Sequence, residues 1–168
     1  VEVSPLKKGK DHPGADYLAI SVYSGLSLSP RTLFLVDPLT GIIRNHTETS
    51  GNIINLPVPV DLQGDGIWEI TGPCFAPGNY GDQRVDFPDS CAWLMCYDQQ
   101  LNLIRSPVPV CGNPAYVSVL PVTGRQKPFL VTLFYSRSEA GSRNTLAIWE
   151  WRSDSLRMIR SRVFDNGE

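Results

Sequence analysis

One stretch of this chain has residue types and spacing suited to chemistry: Asp61-Leu62-Gln63-Gly64-Asp65-Gly66-Ile67-Trp68-Glu69-Ile70. Asp61, Gln63, Asp65 and Glu69 fall at positions 1, 3, 5 and 9 of a calcium-loop pattern. Calcium is a hard cation that takes roughly six to eight oxygens, and alternate side chains of a tight loop can converge to supply them. Gly64 and Gly66 permit the sharp turn. The neutral Gln63 stands where an acid would add charge, so bound Ca2+ at these four residues is expected to be held weakly.

A second group lies in the long polar segment from Phe75 to Ser90, which carries Asn79, Tyr80, Asp82, Arg84 and Asp86. Loops of this length inside a domain are often functional. With Ser24 to Arg31 and Ser136 to Arg143 it forms three connections expected on one side of the molecule, where they would line a ligand-binding rim. Trp151, at a predicted strand end, is the tryptophan expected to be free for stacking on a ligand. Trp68, Trp93 and Trp149 fall inside predicted strands and are expected in the core.

Catalytic signals are sparse. There are two histidines, neither in a nucleophile setting, and no glycine-rich phosphate cradle, so no enzyme is expected within these residues. Cys74, Cys91, Cys96 and Cys111 match no zinc spacing. They are either free, partly buried thiols or include a Cys74–Cys91 bridge closing the loop between two strands. Arg44, Arg105 and Arg160 recur at one position and are placed to pair with Asp37, Asp98 and Glu150 across neighbouring strands.

The elements that must position these residues repeat. Leu18 to Ser21, Trp68 to Thr71 and Phe129 to Thr132 form one strand family. Leu33 to Asp37, Leu94 to Asp98 and Leu146 to Glu150 form another, each ending in an acid. Ile42 to Arg44, Leu103 to Arg105 and Met158 to Arg160 close the units. The period is about 50 to 60 residues, within the range of propeller-type arrays. No segment has helical periodicity, and short apolar runs between turn residues indicate strands. The fold expected is all-β: one domain over residues 1–168, built of about three four-stranded antiparallel β-propeller blades near 1–50, 51–110 and 111–168. Known rings close with roughly four to eight blades. Three would therefore be half or part of a ring, completed by further blades of a longer chain or by self-association.

Charge narrows the partners. Fifteen Lys and Arg against 17 Asp and Glu give a net charge of −2, with no basic patch to grip nucleic acid. Fourteen Gly and 14 Pro suit a chain that turns often. No apolar stretch is long enough to cross a bilayer as a helix. A start at Val1 rather than Met reads as a mature or excised piece, with any signal or anchor expected outside it.

The order of motifs resembles FG-GAP/VCBS-like β-propeller ectodomains of bacterial membrane sensors, notably of the sensor histidine kinase type. The likeness rests on Asp61 to Gly72, Pro77-Gly78-Asn79, Ala92 to Leu101 and Tyr116 to Pro121. It implies an extracytoplasmic sensory or ligand-binding module, periplasmic or at the cell surface, of a membrane-anchored receptor. The ligand would be a small molecule, glycan or protein, and any kinase would lie elsewhere in a parent chain. It also allows a metal-free form of the Asp61 loop, in which Asp61 and Asp65 cap backbone N–H groups. The alternatives are a calcium-supported adhesion propeller without signalling role and a polysaccharide-active enzyme subdomain.

Overall fold

The computed structural model describes residues 2–6, 17–24, 28–49, 53–72, 74–78, 86–111, 115–122, 128–138, 141–152 and 155–165. Every regular element among them is a strand. In chain order these are β1 (Glu2–Leu6), β2 (Tyr17–Ser24), β3 (Leu28–Val36), β4 (Ile43–Glu48), β5 (Ile53–Ile54), β6 (Val58–Val60), β7 (Glu69–Thr71) and β8 (Cys74–Ala76). There follow β9 (Cys91–Leu94), β10 (Cys96–Tyr97), β11 (Val108–Cys111), β12 (Ala115–Val122), β13 (Phe129–Ser138), β14 (Gly141–Arg152) and β15 (Ser155–Asp165).

The strands form open antiparallel sheets ordered β1-β2-β3-β4, β10-β7-β6, β11-β9 and β15-β14-β13-β12-β8-β5. The all-β expectation holds. Uniform four-stranded units do not. β9 and β10 flank Met95 on one run of chain. Its first half pairs with β11, Leu94 opposite Val108, and its second half with β7, Cys96 opposite Thr71. The other departure is at Gly72. The chain pairs with β6 and β10 before this glycine and with β12 and β5 after it. A Cβ at Gly72 would overlap Cγ2 of Ile54, so the change of sheet needs a residue without a side chain. The last sheet thereby gains two strands and reaches six.

Alternation along the strands decides which face is inside. On β12, Ala115 and Val117 are buried while Tyr116, Ser118 and Leu120 are exposed. Leu130, Thr132 and Phe134 of β13 and Ala147, Trp149 and Trp151 of β14 turn to the same interior. There the Trp149 indole N–H donates to Thr132 Oγ1 at 2.8 Å, and Phe134 meets its ring edge-on. A buried indole thus keeps its hydrogen bond. Leu6, Ala19, Leu33 and Leu35 form the buried face of the first sheet, which Ser21 ties to β5 by donating to the Ile54 carbonyl. Between the two lie Ile70, Leu94, Met95, Cys96 and Tyr97, all buried. The expectation that Trp68, Trp93 and Trp149 belong to the core fits best at Trp149. Trp68 and Trp93 are partly buried and packed against it.

Candidate functional site

The Asp61 loop follows β6 and is built by its own side chains. Asp61 Oδ1 accepts the N–H groups of Gly64 (2.6 Å) and Asp65 (3.1 Å), and Oδ2 accepts that of Gly66 (2.9 Å). Asp65 Oδ1 accepts the N–H of Ile67. Gly64 and Gly66 adopt φ of 75° and 84°, the left-handed region the turn demands. Glu69 is 2% exposed, and its two oxygens accept the Leu62 N–H (2.7 Å) and the Gln63 amide (2.8 Å). Burial pushes its carboxyl above the ordinary range despite those two bonds. The four residues expected to hold calcium are adjacent; carboxylate oxygens of Asp61, Asp65 and Glu69 accept N–H groups, and Gln63 donates its amide to Glu69. Among the described residues no three acids, histidines or cysteines converge as a metal site. Asp61 and Asp65 thus cap backbone N–H groups of the turn.

Of the polar segment, Asn79, Tyr80, Asp82 and Arg84 lie outside the described residues. Asp86 is described and exposed, at the start of the stretch leading into β9. That stretch is held from two sides. The Trp93 indole donates to the Pro88 carbonyl at 3.0 Å, and Phe87 packs edge-on against Trp93. Asp89 meets Arg31 of β3 at 3.3 Å, their side chains 8% and 1% exposed. A buried carboxylate is stable there only with a cation against it. Arg31 also offers its carbonyl to the N–H and Oγ1 of Thr49. The foot of this polar segment is therefore anchored at once to β3 of the first sheet and to β9. Sequence gave no sign of this pair, which spans 58 positions.

The other two connections expected at the rim are tighter than they read. Ser24 pairs with Leu28 and Ser138 with Gly141, so the β2–β3 and β13–β14 ladders take in most of the residues expected in these connections. Residues 136–138 and 141–143 belong to a continuous ladder, because Tyr135, Arg137 and their partners alternate without interruption.

Trp151 departs from expectation. It is 3% exposed, inside β14, and does not offer a free face for stacking. It walls a cleft of about 210 Å³ shared with Leu94, Cys96, Arg105, Val108 and Leu156. A second cleft of about 330 Å³ runs on between β11 and the β13–β15 face, past Pro109, Phe134, Trp149 and Met158. Neither is lined by the Asp86 segment, so Trp151 and Asp86 belong to different places.

Cys74 and Cys96 are structural thiols. Cys74 is a free, buried thiol, so no Cys74–Cys91 bridge closes the loop. Burial pushes both Cys74 and Cys96 up to about 12, which leaves them protonated and unreactive at neutral pH. The expected arginine pairs are met once: Arg44 meets Asp37 at 2.7 Å and holds that carboxyl below the usual carboxylate range. Asp98 instead accepts the Gln100 and Asn102 N–H groups of its own turn. A bulge between Ile148 and Trp149 puts Arg160 opposite Ile148, and Glu150 takes Arg152.

No protein-family model, curated protein or solved structure matches this chain.

Proposed function

We propose that this chain is part of an extracytoplasmic β-propeller, the sensory and ligand-binding module of a bacterial membrane receptor such as a sensor histidine kinase. The observation that carries the reading is the Arg31–Asp89 pair. It fixes the foot of the one long polar segment to a rigid sheet, and sites held by rigid elements are the ones that bind selectively. Successive antiparallel hairpins packed face to face support the propeller part of the reading. The sensory part rests on the resemblance of motifs.

Binding would act through the two anchors. A ligand held by the segment that includes Asp86 touches chain tied to β3 on one side and to β9 on the other. If it contacts them better in one arrangement of the two sheets, it shifts the population toward that arrangement. Four of the described acids, Asp37, Asp61, Asp89 and Asp98, accept hydrogen bonds that hold turns or join sheets, a structural use consistent with a binding module. In the Asp61 loop the carboxylates of Asp61, Asp65 and Glu69 accept N–H groups of the loop, which supports a reading without calcium.

Amide NMR titration with panels of glycans and small metabolites tests this. The reading expects shifts that cluster in residues 76–93 and in β3 around Arg31. Shifts confined to the clefts beside Trp149 and Trp151 would move the site, and turnover of a panel member would replace the module by an enzyme.

A further inference from the structure

The two outermost sheets each turn an apolar face to water. On the last sheet, the register places Tyr116, Leu120, Val122, Leu133, Leu146 and Ile148 on the side opposite the core. Leu120 is 62% exposed and Leu133 44%. Phe75 and Tyr116 stack there at 4.4 Å between ring centroids, with Tyr135 tilted against them. Along one border stand Arg157, Arg160 and Arg162 of β15, all exposed. On the first sheet, Val3, Ile20, Val22, Phe34, Val36 and Ile43 share the outward side. Val3 is 46% exposed and Ile43 55%, and Glu48 lies on that side opposite Thr32.

We infer that two copies of this chain associate head to tail, the outer face of each last sheet covering the outer face of the other copy's first sheet. The areas favour this over simpler contacts. Four strands spaced about 4.8 Å apart, about eight residues long at about 3.4 Å each, make a face of about 500 Å². One face-to-face contact then buries about 1,000 Å² in total, short of the roughly 1,200–2,000 Å² of stable interfaces. A closed pair in which each copy gives both faces buries about 2,000 Å². Charge points the same way. The arginine border of the last sheet faces the side that carries Glu48, whereas two last sheets laid on each other would bring arginine rows into one contact. A two-fold rotation makes the same contact twice, first sheet on last and last on first, so the closed pair leaves neither face for a third copy. It stands on the two faces and not on what the module binds.

Sedimentation equilibrium of the 168-residue chain with two exposed-site variants tests it. The parent chain should have twice its mass of 18.6 kDa. Leu120→Arg on the last sheet and Ile43→Arg on the first should each weaken self-association by about 100-fold or more. Mixed in equal amounts, they should give a two-chain species stronger than either alone, because each keeps the face the other has lost. A monomeric parent chain would overturn the inference. So would an Ile43→Arg variant that pairs as well as the parent, which would mean that last sheets pair with each other. Growth to open oligomers would overturn it as well, because the two faces would then join a chain of copies and not a closed pair.

Discussion

At the residue scale, the Asp61 loop is held by its own carboxylates. Three backbone N–H groups point at one carboxylate, and each such bond to a charged group contributes about 1.5–3 kcal/mol in favourable settings. Exposure of the loop brings the net toward the low end, so Asp61→Ala should cost about 1–2 kcal/mol in a urea titration. Calcium or EDTA should leave the melting temperature of the parent chain unchanged, and a rise of several degrees with calcium would show that the carboxylates reorient onto a cation. Asp37 gives a pH test. Its folded carboxyl lies below the ordinary value of 3.8, so its contribution is present above that value and lost as pH falls through the lower, folded one. Arg44→Ala removes the main cause, so the variant should lose less stability than the parent chain between about pH 5 and pH 2. An acid limb identical in both chains would contradict the assignment.

At the scale of elements, the run from β7 to β8 decides how the sheets join. Sequence made β7 legible through the run Trp68 to Thr71, but β8 overlaps the start of the segment from Phe75 to Ser90 that reads as a loop. A glycine beside a strand-like run, as at Gly72, is a pattern that marks close approach of another segment. Gly72→Ala should cost about 1–3 kcal/mol from overpacking on Ile54. In an Ile54→Ala background most of that penalty should vanish, and additive losses would place the strain elsewhere. The Arg31–Asp89 pair joins elements just as distant in sequence. Asp89→Ala leaves a guanidinium in a buried site, and removing one member of such a pair costs about 3–5 kcal/mol. A shift in denaturant midpoint worth less than about 1 kcal/mol would mean that the pair is hydrated in solution. Neither Arg31 nor Asp89 could be chosen from sequence, because arginines and acids are scattered along the chain and only the fold brings these two together.

At the scale of the whole molecule, composition and periodicity were enough for an all-β chain of successive antiparallel units. They did not resolve the unequal sheets. Repeat reading assigns each strand to its own unit, whereas β5 and β8 gain more by completing the edge of β12, where Tyr116 stacks on Phe75. Candidate sites were legible where local hydrogen bonding decides them, as in the Asp61 loop, and illegible where burial does, as for Trp151. At this scale the cover of the outer faces matters most, since each costs about 25 cal/mol per Å² of apolar surface left in water. Small-angle X-ray scattering of the 168-residue chain addresses it most directly. A closed two-copy array predicts a disc of twice the 18.6 kDa chain mass, with a distance distribution bearing the central depression of a ring. A particle of single-chain mass, or an elongated two-lobed pair, would contradict the stacked, head-to-tail arrangement.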